Sequence, residues 1–324
     1  MHGVNLIIGL AGLIVGAEFV VRFGVAIARR LKISPIIIGL TVVSVGTSLP
    51  ELAVCIEGIQ QGSGNLVLGN LVGTNIVNIL LIMGLAALIR PIVFQRSSLR
   101  IDLPAMIIAS LLLWAFTAWN GDLTTLEGVI LLGFGCLYTW RVIATARTRD
   151  AHDDQIESEI DTSKQPRPGA KYVVFDVFMM VVGIVIIVVG ANWLLEGAVG
   201  LATDLGLSET LIGLTIVAIG TSAPEIATMI AATIKGERAI AVGNLIGSST
   251  LNLTLILGSG LLFGPRSVEI DPTLITFDMP IMVGVALVCI PLFVLGKKIS
   301  RFEGGLMVAA YVGYLTFLIV TAVV

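Results

Sequence analysis

The sequence predicts an all-α polytopic membrane protein whose ten transmembrane helices form two inverted five-helix repeats, with broken helices at the membrane midplane. Three observations support this fold class. The 324 residues are 56% hydrophobic and only 13% charged, whereas soluble domains carry about 25% charged residues. Ten apolar stretches are each long enough to cross a hydrocarbon core of about 30 Å. One half of the chain also repeats the other at a constant offset of 174 positions.

The ten predicted segments follow one another along nearly the whole chain, each with roughly the 20 apolar residues that a span requires. The N-terminus lacks the positive charge of a signal peptide, so we expect the first segment to be retained as a helix. The segments are residues 4–27, 35–58, 66–89, 101–119, 123–145, 172–195, 210–234, 239–262, 273–296 and 303–323.

The distribution of positive charge predicts the side of the membrane that each loop faces. Lys and Arg are retained on the cytoplasmic side, and 17 of the 19 lie after the odd-numbered segments or, for Arg141, near the end of one. Of the other two, Arg266 lies in an opposite loop and Arg22 within the first segment, where we expect an ion pair with Glu18. We therefore predict a protein of the cell (inner) membrane, with both termini outside and the central linker in the cytoplasm.

The internal duplication predicts three parts of the chain. Residues 33–87 and their copies 174 positions later share 22 identities in 55 positions. Because five segments is an odd number, the second copy enters the membrane from the opposite side, as in secondary transporters with inverted repeats. The predicted repeats are 1–145 and 172–324. The acidic linker 146–171 is expected to be a solvated tether, with weak calcium sensing as the alternative.

The first duplicated motif places a carboxylate in the middle of an apolar segment. Gly46-Thr47-Ser48-Leu49-Pro50-Glu51 recurs as Gly220-Thr221-Ser222-Ala223-Pro224-Glu225. An Asp at the centre of a membrane helix costs about 2.5 to 3.5 kcal/mol, so a glutamate there indicates a functional site. Proline removes a backbone donor, and we expect the helix to open around Gly46 and Thr47 and to free carbonyl oxygens. Helical spacing puts further side chains on the faces of the two glutamates: Ser44, Thr47 and Ser48, and Ala218, Thr221 and Ser222.

The second duplicated motif predicts a polar stripe on one face of a helix. Its residues recur every four positions, at Asn70, Thr74 and Asn78 in one copy and at Asn244, Ser248 and Asn252 in the other. Glycines within both copies permit close packing of helix backbones. An alternative interpretation is purely structural, in which the proline is a kink, the hydroxyls bond to their own helices and the asparagines join helices together.

The combined side chains predict a site for a hard cation. Carboxylate, amide, hydroxyl and carbonyl oxygens suit calcium, which takes six to eight oxygen ligands, and sodium accepts the same oxygens. The only histidines, His2 and His152, lie outside the apolar segments, and no Cys pair is present. Cys55, one turn beyond Glu51, is interpreted as a small core residue rather than a soft-metal ligand. We expect no cofactor and no nucleic-acid partner; the partners are calcium and sodium ions and the lipid bilayer.

At these residues the chain resembles the sodium/calcium exchanger family of the cation/calcium exchanger superfamily, prokaryotic type, over both repeats. The resemblance implies that Glu51 and Glu225, with the carbonyls of Thr47 and Thr221, hold calcium. It also implies neighbouring sodium sites and a sliding pair formed by the first and sixth segments. The implied sodium ligands are Ser44, Ser48, Thr74, Ala218, Ser222 and Ser248, with Asn78 and Asn252 between the sites.

Two positions depart from the pattern of the resembled family. Some members, including potassium-dependent ones, carry Asp at the position of Asn252, whereas potassium-independent members can carry Asn there. The resemblance therefore argues against a potassium requirement without deciding it. Ser249 stands where the family often has Asn.

The predicted function is a secondary active antiporter that exchanges sodium for calcium by alternating access. A doubly anionic site crosses a low-dielectric barrier slowly unless cations neutralise it, so occupation by one ion species excludes the other and couples their movements. A calcium or other cation/proton antiporter using the same glutamates is the alternative, followed by a channel. An enzyme is not expected because the residues suggest no nucleophile or metal-bound water, and a structural scaffold would tolerate loss of both glutamates.

Overall fold

The structure is a computed structural model that describes residues 2–93, 98–145, 170–205, 218–296 and 298–323. Within these ranges, eight helices are long and apolar enough to cross a membrane, and a bent helix pair makes a ninth if counted as one span. The seventh predicted segment is described only from residue 218 onward, and most of the predicted linker lies outside the described residues. The protein is therefore a helical integral membrane protein.

The described helices lie at the predicted segments, although the helix of the sixth segment extends to Asp204, nine residues beyond the predicted end at 195. In the first half they are α1 (His2–Leu31), α2 (Pro35–Ile38), α3 (Ser44–Thr47), α4 (Leu49–Gln60), α5 (Gly64–Ile76), α6 (Gly84–Ile89), α7 (Leu103–Asn120) and α8 (Thr125–Ala144). In the second half they are α9 (Ala170–Asp204), α10 (Ala218–Thr221), α11 (Ala223–Lys235), α12 (Arg238–Leu251), α13 (Leu257–Phe263), α14 (Met279–Gly296) and α15 (Arg301–Val323).

Several segments contain a π-helical stretch, which the sequence analysis did not predict. The wider π turn is rare and is frequent at functional sites. Two of the stretches directly continue α5 and α12, the helices that carry the predicted polar stripes. The π segments are Gly39–Val43, Val77–Met83, Ser98–Asp102, Asn252–Ile256 and Leu274–Asp278.

The helices α1 and α9 pack against each other in opposite directions. Gly9 contacts Gly190, whereas Gly16, two turns later in α1, contacts Gly183, earlier in α9. A Cβ on Gly16 would lie 2.7 Å from the Gly183 carbonyl oxygen, so the backbones touch at these glycines. Small residues permit such close approach between membrane helices. The predicted first and sixth segments thus form one tightly packed pair.

The helix α12 packs equally closely on the segment that begins at α2. A Cβ on Gly39 would lie 2.6 Å from the Ile240 carbonyl oxygen, and one on Gly243 would lie 2.5 Å from the Ile36 carbonyl oxygen. Neither contact leaves room for a side chain. The polar stripe of one half is therefore held directly against the first duplicated motif of the other half.

Two short antiparallel strand pairs connect the halves. The strands β1 (Ile92–Val93) and β4 (Lys298–Ile299) pair with Ile92 opposite Ile299. The strands β2 (Asp122–Thr124) and β3 (Ser267–Glu269) pair with Leu123 opposite Val268. Each pair thus joins one strand from each half of the chain.

The expected ion pair within α1 is wrong. Glu18 pairs instead with Lys235 at the end of α11, and the Arg22 guanidinium lies 5.7 Å from the centroid of the Phe23 ring. A partner four residues away on an exposed helix face contributes only about 0.2 to 0.5 kcal/mol. A charged group from a neighbouring helix therefore competes readily with it.

Candidate cation site

The first duplicated motif forms a sharp bend between two helical pieces. The axis turns by 47° between Pro35–Thr47 and Leu49–Gln60. The bend is at Ser48, whose φ of −88° and ψ of 11° are not helical, one residue beyond the expected opening at Gly46 and Thr47. Pro50 lies within the first two residues of α4, where its missing N–H costs no helical hydrogen bond. The proline therefore starts a new helix rather than kinking an old one.

The second motif repeats this geometry. Ser222 precedes α11 with a φ of −85° and a ψ of 6°, and Pro224 again lies within the first two helical residues. Only the backbone of Ala218 is described, at the start of α10. The predicted role of Ala218 as a ligand therefore stays a prediction.

The carboxyl groups of Glu51 and Glu225 lie buried in the first turns of α4 and α11. Both residues have 0% exposure, and their carboxylates are close enough to repel each other. A helix N-terminus favours negative charge because its first N–H groups point outward. The Thr47 and Ser48 hydroxyls lie beside Glu225. Among the described residues, however, no donor is well aligned for a hydrogen bond with an oxygen of either carboxyl.

Further buried polar atoms of the predicted site have no hydrogen-bond partner among the described residues. An unpartnered polar group in a dry interior costs about 1 to 3 kcal/mol, so natural proteins keep few of them. Among the described residues, every buried side-chain atom without a partner except Asp122 Oδ1 belongs to the two duplicated motifs. This concentration indicates ligand positions rather than packing. They are Ser48 Oγ, Asn70 Nδ2, Thr74 Oγ1, Asn75 Oδ1, Asn78 Oδ1, Ser222 Oγ, Asn252 Oδ1 and Asn252 Nδ2.

The remaining predicted residues contact one another across the two halves. Thr47 Oγ1 donates to Asn244 Oδ1 at 3.2 Å and lies 3.5 Å from Ser248 Oγ. Ser44 Oγ donates to the backbone oxygen of Asn244 at 3.1 Å. In the reciprocal position, Thr221 Oγ1 lies 3.4 Å from Asn70 Oδ1 and donates to it. The first duplicated motif of each half thus contacts the second duplicated motif of the other half.

A separate contact links Asn78 of the first polar stripe to Ser249, the residue after Ser248 of the second. Asn78 Nδ2 donates to Ser249 Oγ at 3.4 Å. This contact leaves the Asn78 oxygen without a partner among the described residues. Ser249 therefore lies beside Asn78, although the sequence analysis did not include Ser249 among the ligands. Asn75, whose Nδ2 donates to the Leu71 carbonyl of its own helix, also lay outside the predicted ligand set.

The donor set fits a hard cation in transit. Two carboxylates accompany neutral hydroxyl and amide oxygens, and the described residues contain no group of three or more His, Cys, Asp or Glu side chains able to hold a metal. Calcium and sodium both bind oxygen ligands, while soft metals prefer sulfur or imidazole. The arrangement can therefore offer a cation two carboxylates together with neutral hydroxyl and amide oxygens.

One pair of duplicated polar contacts escaped the sequence analysis. Tyr138 donates to Asp102 at 3.4 Å, and Tyr314 donates to Asp278 at 2.7 Å. Each Asp begins an Asp-x-Pro sequence, and both the Asp and the Tyr recur after 176 positions rather than 174. A comparison that allowed a two-residue insertion would have found them.

The comparisons with known proteins agree with this geometry. The family profile described as sodium/calcium exchanger protein matches residues 2–144 and 175–320, which covers most of the chain. This protein is a member of the sodium/calcium exchanger family. The family is one of membrane transporters, which agrees with the expectation that the chain is not an enzyme.

Individual known proteins match over most of their length. The sodium/calcium exchanger MaX1 of Methanosarcina acetivorans is 33% identical, with 97% of each chain covered. The inner membrane protein YrbG of Escherichia coli is 36% identical, with 87% of this chain and 86% of YrbG covered. The Ca(2+)/H(+) antiporter ChaA of Bacillus subtilis is 26% identical, with 81% and 77% covered.

Solved structures of the sodium-calcium exchanger NCX_Mj share the fold. One, soaked with sodium and without calcium, superposes with a TM-score of 0.82 at 27% identity. The match covers 97% of this chain and 98% of that exchanger. The helical arrangement described above is therefore that of a membrane exchanger.

Proposed function

We propose that this exchanger moves calcium and sodium in opposite directions by alternating access, with both ions competing for one site between the two halves. The observation that carries the proposal is the pair of buried glutamates, Glu51 and Glu225, close enough to repel each other and without a cationic partner among the described residues. Two uncompensated carboxylates at this depth are costly. A bound cation provides the compensating charge.

The proposed ligands follow from the donor set. Glu51 and Glu225 hold calcium with the backbone oxygens of Thr47 and Thr221, next to the two helix breaks. Sodium ions occupy positions beside the carboxylates, where neutral hydroxyl oxygens supplement the charge. The side chains assigned to these positions are Ser44, Ser48, Thr74, Ser222 and Ser248, with Asn78 and Asn252 between them and Ala218 as a backbone ligand.

The reciprocal contacts support an architecture of two inverted five-helix repeats, 1–145 and 172–324. Thr47 with Asn244 and Thr221 with Asn70 are the same pair taken once from each repeat, since both residues shift by 174 positions. Gly9 with Gly190 and Gly16 with Gly183 show the same exchange. A pseudo-twofold axis produces such exchanged pairs. The linker 146–171 would then lie in the cytoplasm, with both termini outside.

The electrostatics of the site supply the coupling. An empty site carries close to two negative charges, and moving them through a low-dielectric barrier is unfavourable by several kcal/mol per ion. One calcium ion or several sodium ions cancel that charge and allow the change of access. Because the same carboxylates serve both ions, the two cannot occupy the site together. Exchange therefore follows without a separate gate.

Proteoliposomes test the proposal directly. Purified protein is reconstituted with sodium inside, and uptake of radioactive calcium is measured after dilution into sodium-free buffer. We expect uptake that disappears without the sodium gradient. Glu51→Gln and Glu225→Gln should each lower it by about 150-fold or more, because loss of a charged partner at a buried site costs about 3 to 5 kcal/mol. Near-normal uptake by either variant would contradict the site assignment.

A proton-coupled exchange is the second candidate, because the relative ChaA is named as a calcium/proton antiporter. In that mechanism protons rather than sodium ions neutralise the two glutamates. Calcium uptake driven by a pH gradient in sodium-free vesicles would favour it. Uptake that follows the sodium gradient at constant pH, with a protonophore present, would favour sodium coupling.

A further inference from the structure

The two halves of the candidate site differ in one contact of the asparagine that begins each polar stripe. In the second half, Asn244 uses both ends of its side-chain amide. Its Oδ1 accepts a hydrogen bond from Thr47 at 3.2 Å, and its Nδ2 donates to Thr228 Oγ1 at 2.9 Å. Asn244 and Thr228 are 0% and 1% exposed. The amide is therefore held between one residue of each half.

The Thr228 hydroxyl can only accept from Asn244. Its own hydrogen is directed to backbone oxygens of the preceding turn, those of Pro224 at 2.9 Å and Glu225 at 3.0 Å. The NH2 group of an amide can donate to this hydroxyl oxygen. The carbonyl oxygen of a flipped amide could not, because both oxygens would then be acceptors. Thr228 thus fixes which end of the Asn244 amide points toward Thr47.

The first half lacks this contact. The position equivalent to Thr228 is Val54, 174 residues earlier, and valine offers no acceptor. Thr221 still donates to Asn70 Oδ1 at 3.4 Å. The Asn70 Nδ2, however, is buried without a partner among the described residues.

We propose that Thr228 is a positioning residue for cation binding, which locks the Asn244 amide and so fixes the Thr47 side of the site before the ion arrives. The inference rests on the proposed function. The lock matters because Thr47 borders the helix break and lies beside Glu225. If the Asn244 amide were free to flip, the oxygens on the Thr47 side of the site would adopt several arrangements. Only one of these arrangements would bind the cation.

The expected effect is on affinity rather than on turnover. A ligand that must select a partly populated arrangement binds more weakly by the fraction populated. Thr228→Val removes the hydroxyl at nearly constant shape. We expect the calcium concentration for half-maximal uptake to rise about threefold to tenfold, the range for one lost buried hydrogen bond. The maximal uptake rate should stay within about twofold because the occupied site is unchanged.

Two further variants separate this role from loss of packing. Thr228→Ser keeps the acceptor and should restore half-saturation to near the unsubstituted value. Thr250→Val is the matched control, since Thr250 is likewise buried, at 0% exposure. Within the described residues its hydroxyl donates to the Ile246 carbonyl of its own helix. This variant should leave half-saturation unchanged. All variants are first compared by gel filtration and thermal unfolding in detergent.

The outcomes distinguish this inference from the proposed function. Absence of sodium-driven uptake by the unsubstituted protein would refute the proposed function itself. With an active parent, an unaltered half-saturation in Thr228→Val would overturn only the positioning role. An equal rise in Thr250→Val, failure of Thr228→Ser to restore affinity, or a fall in maximal rate alone would also overturn it.

Discussion

At the scale of single residues, the site depends on positions where no side chain fits. Gly247 lies in α12 against the turn that contains Ser44. A Cβ at Gly247 would collide with Ser44 Oγ and would lie 3.0 Å from the Leu40 Cα atom. Ser44 Oγ also lies within hydrogen-bond distance of the carbonyls of Gly39 and Asn244. The glycine therefore keeps a proposed ligand in place by leaving space for it.

Gly247→Ala should impair transport by displacing Ser44. Overpacking a tight contact costs about 1 to 3 kcal/mol, so we expect sodium-driven calcium uptake to fall by about fivefold or more. The measurement is initial uptake in proteoliposomes at matched protein content.

Gly133→Ala provides the control for a helical glycine replaced by alanine. A Cβ at Gly133 meets nothing within 4 Å, and alanine favours the helix by about 1 kcal/mol. Uptake by Gly133→Ala should be normal. An unimpaired Gly247→Ala protein would show that the contact with Ser44 is not needed.

At the scale of elements, paired polar contacts hold neighbouring helices together within each half. Tyr138 of α8 reaches Asp102, which precedes α7, and Tyr314 of α15 reaches Asp278, which precedes α14. The helices α8 and α15 also begin alike. Thr124 with Glu127 forms a capping box, and the same contacts join Ser300 and Glu303. These helices therefore form two equivalent scaffolds around the site.

Tyr314→Phe should destabilise its scaffold. The ring remains, but the 2.7 Å hydrogen bond to the mostly buried Asp278 is lost, at a cost of about 1 to 3 kcal/mol. We expect a lower unfolding temperature in detergent, with little change in the calcium concentration for half-maximal uptake.

Tyr172→Phe is the comparison for this measurement. Tyr172 is 37% exposed and uses its ring face toward Arg30, whose guanidinium lies 5.2 Å from the ring centroid. Removing its hydroxyl should leave the unfolding temperature nearly unchanged. If both substitutions have the same effect, the Asp278 contact contributes no particular stability.

Much of this element structure could be predicted from the sequence because bilayer thickness fixes the length of apolar segments. The bend at Ser48 was predicted to within one or two residues, since a proline inside an apolar run restricts the backbone strongly. The π segments could not be predicted, because a widened turn depends on packing against neighbouring helices. For the same reason the Asn244 to Thr228 contact required the fold, although Asn244 itself was visible in the repeated motif.

At the scale of the whole molecule, the α1–α9 pair is joined to the rest of the protein by charged contacts at one end. Glu18 of α1 pairs with Lys235 of α11, and Arg29 Nη2 lies 3.8 Å from Glu237 Oε1 just beyond it. Burial raises the pKa of the Glu237 carboxyl, whereas Arg29 and Lys235 oppose that shift. Movement of the α1–α9 pair along α11 would separate these partners. The contacts therefore favour the arrangement seen here over one displaced along α11.

Charge reversal tests this inter-helix contact. Glu18→Lys and Lys235→Glu each place like charges together, while the double variant restores an opposite pair. Exposed ion pairs contribute up to about 1 kcal/mol, which corresponds to a shift of about fivefold in a two-state population. We expect each single reversal to shift the distance distribution between spin labels at Val15 and Ile234, and the double variant to return it to that of the labelled parent. Arg22→Gln, one turn along α1, removes a charge without disturbing the pair and should leave the distribution unchanged. A double variant that fails to restore the distribution would show that the contact between Glu18 and Lys235 does not bias the position of the α1–α9 pair.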